Sequence, residues 1–385
     1  MDPLLGTCAL DSLRQRRSYK WRSYPADVLP AFVAEMDFSL AGPVVRAVNA
    51  ALAIGDSGYG HPGVLGEAFG QFAADRLGWA ADPARVFPIP DVMTGLAEVV
   101  QALTPPGSGV VVNPPVYPPF LFRFGFTGRP IVPAPLARDA AGRYDLDLAA
   151  VDRALGQPGV GTYLLCSPHN PTGSVWTRAQ LHAVADLCQR HGVLLVVDEI
   201  HAPLVLAGAE YVPFLSIEHE LTAHAFSFTS ASKGWNIPGL KCGLAVAGSA
   251  AGGKLIARLE EALLPGHLGV LASVAAFTDG RPWLDAVRGQ LDENRQQLGR
   301  LLADQLPQAR YQPPQASFLA WIDCREMGLP AEPAEVFLDR GRVALSPGPD
   351  FGPEGRGYAR LNMGTSPELL GEAVRRMATA VHAAG

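Results

Sequence analysis

Seven short apolar runs through the middle of the chain restrict its fold more than any other feature. They are Val86–Ile89, Val110–Asn113, Pro130–Ala134, Thr162–Cys166, Val193–Val197, Ala223–Phe228 and Gly243–Ala247. They are rich in β-branched residues and continuous rather than alternating, as expected of strands covered on both faces. Helical patterns separate them. Leu96, Val99, Val100 and Leu103 form one stripe; Leu181, Val184, Ala185 and Cys188 form another, which Thr177 and Gln180 open as a capping box. This alternation predicts an α/β fold: a mostly parallel seven-stranded sheet flanked by helices.

The two ends have a different texture. Residues 1–42 read as a loop-rich arm that joins a small C-terminal domain. Within it, Glu35 and Asp37 lie in a short apolar segment, either as outward acids on a surface strand or as buried groups that need partners. Pro43 opens a helix with apolar positions Val45, Val48 and Leu52, ending at Gly55. Gly58–Gly63 is a turn that exposes Tyr59. Residues 281–305 predict one long helix, followed by a strand over Ser317–Asp323 and a helix over Glu332–Arg340. Strands over Arg342–Leu345 and Tyr358–Asn362 follow, and Ser366 with Pro367 opens a last helix. The expected division is an arm (1–42), a large domain (43–280) and a smaller α+β domain (281–385).

Composition narrows the class. With 385 residues, 48% hydrophobic and 18% charged, the chain can bury a sizeable core. A net charge of −6 gives no reason to expect a nucleic-acid partner. The basic cluster Arg14, Arg16, Arg17, Lys20 and Arg22 reads as a solvated arm or interface strip. Five cysteines without paired or metal-type spacing suit a reducing cytoplasm. Residues 1–20 lack the apolar core of a signal peptide, and no apolar run is long enough to span a bilayer, so no membrane partner is expected.

The candidate chemistry falls where strands end. Ser230-Ala-Ser-Lys233-Gly-Trp-Asn-Ile-Pro-Gly-Leu-Lys241 follows an apolar run. A lysine at the mouth of a buried strand is either a structural or phosphate-contact cation, or an amine whose depressed pKa suits attack on a carbonyl. Asp91-Val92-Met93-Thr94-Gly95 starts a helix directly after a strand, a phosphate-binding geometry or an ordinary turn. Asn113–Phe120 is a proline-framed loop around Tyr117, and Ser167–Gly173 fixes Asn170 beside a proline. Asp198, Glu199 and His201 end the most apolar strand. No further ligands of compatible spacing support a metal site there, and the glycine-rich dinucleotide fingerprint is missing. The remaining set matches the needs of pyridoxal 5'-phosphate (PLP): a lysine for its aldehyde, a carboxylate for its ring nitrogen, a phosphate cradle and an aromatic plate.

These segments together resemble fold-type I PLP enzymes of the class I/II aminotransferase superfamily. More narrowly they resemble the MalY/PatB branch of cystathionine β-lyases. The resemblance runs through Ser18–Trp21, Val33–Phe38, Gly58-Tyr59, Pro114–Tyr117, Ser167–Gly173, Asp198–Ala202, Thr229–Cys242, Pro282–Leu284, Ser317–Leu319 and Arg360–Asn362. It implies that Lys233 is the Schiff-base lysine and the base at the substrate Cα. Asp198 is then the partner of the pyridine nitrogen, Asn170 that of the ring hydroxyl with His201 nearby, and Tyr117 the stacking ring. Ser230, Ser232, Lys241 and the backbone of Val92, Met93 and Thr94 bind phosphate. Tyr59 reaches the neighbouring subunit's phosphate in a homodimer with shared active sites. Arg360 holds the substrate carboxylate, and Ala34 lies with Asn170 at the substrate.

The implied reaction is β-elimination from cystathionine or another S-substituted L-cysteine. Transamination of a neutral or basic amino acid, a biosynthetic PLP reaction and a PLP-holding regulator are the alternatives. Glu35, Asp56-Ser57, Gly234 and Pro238 depart from the branch's usual residues near the substrate entrance.

Overall fold

The seven apolar runs pair into one sheet in the computed structural model, which describes residues 4–259 and 263–382. The strands are β1 (Val86–Ile89), β2 (Gly109–Val112), β3 (Ile131–Pro133), β4 (Val160–Cys166), β5 (Leu194–Asp198), β6 (Phe226–Thr229) and β7 (Gly243–Ala247). Their spatial order is β1-β7-β6-β5-β4-β2-β3. Every pairing from β6 to β3 is parallel; β7 alone runs against its neighbours β1 and β6. The run at Ala223 enters the sheet only at Phe226. Before it, Glu220–His224 coils into a 3₁₀ turn whose Leu221 N–H donates to His219 Nδ1 at 3.0 Å.

Both faces of the sheet are covered, and successive residues serve opposite faces. Val110, Val112, Leu164 and Val196 pack with Leu96, Val99 and Val100 of one helix, Val92–Leu103. Val111, Leu165, Leu195 and Val197 pack with Leu181, Val184, Ala185 and Cys188 of another, Arg178–His191, whose capping box forms as expected. Gly95 lets the first helix lie close, since a Cβ there would sit 2.4 Å from Ile89 Cδ1. A four-stranded antiparallel sheet forms separately from Arg310–Tyr311, Leu319–Asp323, Tyr358–Asn362 and Ser346–Pro347. The helices Arg281–Gln305 and Pro367–His382 accompany it, close to their expected bounds. The arm is tied to this end of the chain by Leu29–Pro30, which pairs in parallel with Val343–Ala344. No helix among the described residues is long and apolar enough to cross a membrane.

Two expectations are corrected. The helix Gly42–Ala53 buries Val44 and Ala51, while Val45 and Leu52 stay exposed; Val48 is only partly buried. Its inner face is set by packing on the helix His267–Phe277. Lys20, counted among solvated arm cations, is 2% exposed. Its Nζ donates to Asp37 Oδ2 at 2.8 Å and to Glu35 O at 3.0 Å, which resolves Asp37 as a buried, partnered acid. Removing one member of a buried pair leaves the other charge without compensation, at a cost of about 3–5 kcal/mol. Lys20→Met should therefore lower unfolding stability in urea by about that amount, whereas Lys20→Met combined with Asp37→Leu should recover most of it.

Candidate active site

Strand direction gathers the functional residues at one edge. The parallel strands β4, β5 and β6, together with β1, end there, and the reversed β7 begins there. Asp91, Ser167–Asn170, Asp198 and Ser230 leave the sheet at this edge, and Lys241 and Cys242 enter it. A cavity of about 260 Å³ opens between them. Its walls include Ala34, Val92, Met93, Tyr117, Asn170, Asp198, His201, Ser230, Ser232, Lys233 and Lys241. Pro90, Asp91, Cys166, Ile200, Pro238 and Cys242 complete it. Thr94 stands just behind, its N–H donating to Asp91 Oδ1 at 2.8 Å as the helix N-cap bond.

Lys233 lies on the short helix Ala231–Gly234, and its Nζ donates to Ala34 O at 2.9 Å. Burial, reinforced by Arg360, depresses its pKa to about 8 against the opposing pull of Glu35 and Asp198. Asp198 is 4% exposed, and its Oδ1 accepts the Ile200 N–H at 3.0 Å. Burial still raises its pKa to about 7, helped by the adjacent Glu199 and opposed by Lys233. Glu199 faces away from the cavity and accepts from Tyr211 Oη at 2.6 Å, from the Phe214 N–H at 2.8 Å and from Ser227 Oγ. It holds the strand end together.

His201 is buried with its Nδ1 unpartnered, edge-on to Phe318. Burial, with Lys233 and Arg360 adding to it, lowers its pKa to about 3, so the imidazole is neutral. Arg360 donates to Asn170 Oδ1, Phe32 O and Ser346 Oγ, each at 3.1 Å, and lies over the Phe351 ring. Its Nε has no partner, and burial lowers its pKa to about 10. Tyr117 meets Phe120 edge-on, and burial pushes its hydroxyl pKa up. Ser230 Oγ donates to Cys242 O at 2.7 Å and accepts from the Ser232 N–H at 2.9 Å. Lys241 Nζ donates to Asp91 Oδ2 at 2.6 Å. Burial works against the Asp91 charge, yet the Lys241 and Thr94 bonds hold its pKa below the usual carboxylate range.

Of the sequence candidates, Thr94 and Arg360 stand behind the cavity wall, and Tyr59 lies away from it. Tyr59 is 92% exposed, on a loop where a Cβ at Gly60 would touch Pro265 O. The segment that this loop packs on, Pro265-Gly266, reaches the site, where the Gly266 N–H donates to Lys241 O. The residues missed by the sequence reading, Phe32, Ser346 and Phe351 around Arg360, act through backbone carbonyl, hydroxyl and ring face. Such contacts carry no motif.

The family model described as "Aminotransferase class I and II" matches residues 44–377. The chain belongs to this family. Within it, a Mycobacterium leprae protein named "Putative cystathionine beta-lyase" is 45% identical, covering 97% of this chain and 96% of that one. "Cystathionine beta-lyase PatB" of Bacillus subtilis is 36% identical, covering 92% and 93%. A solved structure described as a "putative plp-dependent beta-cystathionase" from Corynebacterium diphtheriae superimposes with a TM-score of 0.93. It is 35% identical and covers 98% of this chain and 99% of that one.

The chain has four lysines: Lys20, Lys233, Lys241 and Lys254. With a pKa near 8, Lys233 gains its neutral, nucleophilic form well below the pH at which an exposed lysine does. In cofactor-free protein, capture of an added aldehyde at Lys233, fixed with borohydride and mapped by mass spectrometry, should rise between pH 6 and 10 with its midpoint at about 8.

Proposed function

We propose that this protein is a PLP-dependent carbon–sulfur β-lyase that releases a thiol, pyruvate and ammonia from cystathionine or another S-substituted L-cysteine. The observation that carries this reading is a lysine and a buried aspartate on one cavity, with a buried arginine bonded to Asn170 in its wall, in a chain 36% identical to a cystathionine β-lyase.

The donor set fits PLP, which brings a carbonyl carbon, a ring nitrogen, a ring hydroxyl and a phosphate. Lys233 would take the carbonyl carbon and Asp198 would face the ring nitrogen. Asn170 and the unpartnered His201 would serve the ring hydroxyl, with Tyr117 stacked on the ring. Ser230, Ser232, Lys241 and the N-terminal amides of the helix Val92–Leu103 would hold the phosphate. When bound, the cofactor supplies an electron sink for the charge left on the substrate Cα. Asp198, ionised by the cation it faces, holds that ring nitrogen protonated. Arg360 binds the substrate carboxylate, a role its unpartnered Nε supports. Lys233 then takes the Cα proton.

In this reading the substrate is clasped between a large unit (43–280) and a smaller one (281–385) joined by the arm. The working form is a cytoplasmic homodimer with shared sites. Supporting the dimer, Val45, Leu52, Ile54, Tyr59 and Val64 expose apolar surface within one stretch of chain. Supporting the compartment, all five cysteines are unpaired. Transamination is a second reading, favoured by the family match, and it uses the same residues.

The deciding assay offers L-cystathionine without any 2-oxo acid. Equal amounts of homocysteine and pyruvate should appear, whereas turnover that waits for an oxo-acid acceptor would establish the transaminase. Asp198→Asn should lower kcat by about 10²-fold or more, as for loss of a central electrostatic group. Shared sites are checked by mixing Tyr59→Ala and Lys233→Ala proteins under conditions that exchange subunits. Part of the wild-type rate should return, and heterodimers as inactive as the parents would assign Tyr59 to its own subunit.

A further inference from the structure

Residues 32–37 form a strap that meets the cavity at Ala34. The arm's own Lys20 holds its Glu35 O at 3.0 Å and Arg16 its Met36 O at 3.2 Å, and its backbone is tied from two further sides. On one side Asn362 Nδ2 donates to Val33 O at 2.7 Å and to Glu35 O at 2.6 Å. Ser346 Oγ donates to Phe32 O at 2.7 Å, and Arg360 Nη2 donates to the same oxygen at 3.1 Å. On the other side stands Asn236, three residues after Lys233. The Met36 N–H donates to Asn236 Oδ1 at 2.7 Å, and Asn236 Nδ2 donates to Met36 O at 2.8 Å. Ala34, whose carbonyl accepts from Lys233 Nζ, lies between these fastenings.

Asn236 adopts φ +58, a left-handed conformation that asparagine tolerates better than most residues. Its amide answers both backbone groups of one residue, as a neighbouring strand would. The lysine segment and the strap are thereby locked in register. That matters because a lysine amine rides on a flexible four-carbon stem, and a single fixed acceptor selects one position for it.

We propose that Asn236 is a positioning residue: by clamping Met36 it fixes the Ala34 carbonyl, which parks the free Lys233 amine in line for proton transfer at the substrate Cα. The proposal rests on the reading of Lys233 as the base. Misplacing a reacting group by about 1 Å can lower a rate about 10²-fold, while contacts that bind the substrate are untouched. The clamp therefore acts on kcat rather than on KM.

Asn236→Gly tests this, because glycine keeps the left-handed backbone and deletes both bonds. The expected results are a kcat lowered by about tenfold or more with KM within about threefold, and a larger isotope effect with Cα-deuterated substrate. The cofactor-free variant should also capture PLP on Lys233 more slowly, read as the rate of absorbance rise. Asn236→Asp keeps an acceptor for the Met36 N–H and should fall between the two; it carries the test if the glycine variant does not fold. A kcat, isotope effect and capture rate all within twofold of wild type would overturn the proposal. So would a lower kcat with an isotope effect near unity, since the limiting step would then lie outside proton transfer. Lys233→Ala is the control. Wild-type turnover in that variant would show that the base itself is misread, and the positioning role would fall with it.

Discussion

Lys233 and Asp198 line one desolvated cavity, and Arg360 stands behind Asn170 in its wall, with no ion pair joining any two of the three among the described residues. Low-dielectric surroundings disfavour every one of these charges, and each pKa moves toward the neutral form. Neutral groups steady them instead: the Ile200 N–H on Asp198, the Ala34 carbonyl on Lys233, and Asn170, Phe32 and Ser346 on Arg360. A direct Lys233–Asp198 salt bridge would stabilise both charges and leave neither free for a ligand. The fold keeps the charges apart, and the unfilled Nδ1 of His201 and Nε of Arg360 mark where further hydrogen bonding can occur.

That separation depends on elements distant in sequence. Asp198 is delivered by β5 and Lys233 by the turn after β6, while Arg360 comes from the second sheet. The arm supplies the strap, whose Ala34 and Phe32 carbonyls accept from Lys233 and Arg360. Its own anchor is the buried Lys20–Asp37 pair, so an ion pair at the edge of the fold bears on where the Lys233 amine rests. In contrast to the cavity charges, Lys20 and Asp37 compensate each other directly.

Much of this was legible in the sequence because the sheet is covered on both faces. Continuous β-branched runs leave little ambiguity, and the residues that follow them must lie at the strand ends. Asp198, Asn170, Ser230 and Lys233 were readable for that reason. The reversal of β7 was not, since an apolar run carries no direction. The helix Gly42–Ala53 was misread because its apolar residues exceed what one buried face needs, and only packing on His267–Phe277 selects Val44 and Ala51. Lys20 was hidden by its basic neighbours, and Asp37 in an apolar segment left open whether it was an outward acid or a buried one that needed a partner.

The reversed strand also bears on how the site assembles. Because β6 and β7 are adjacent and antiparallel, the stretch from Thr229 to Gly243 leaves and re-enters the sheet at neighbouring positions. Lys233, Asn236 and Lys241 all lie on this one excursion. Closing a loop of this size costs little conformational entropy compared with joining the distant Asp198 and Arg360. The β6–β7 pair brings the two ends of the segment side by side. Three residues of the site thus arrive together on one short excursion, and its middle is pinned in turn, with Trp235 buried and its Nε1 donating to Gly280 O at 2.8 Å.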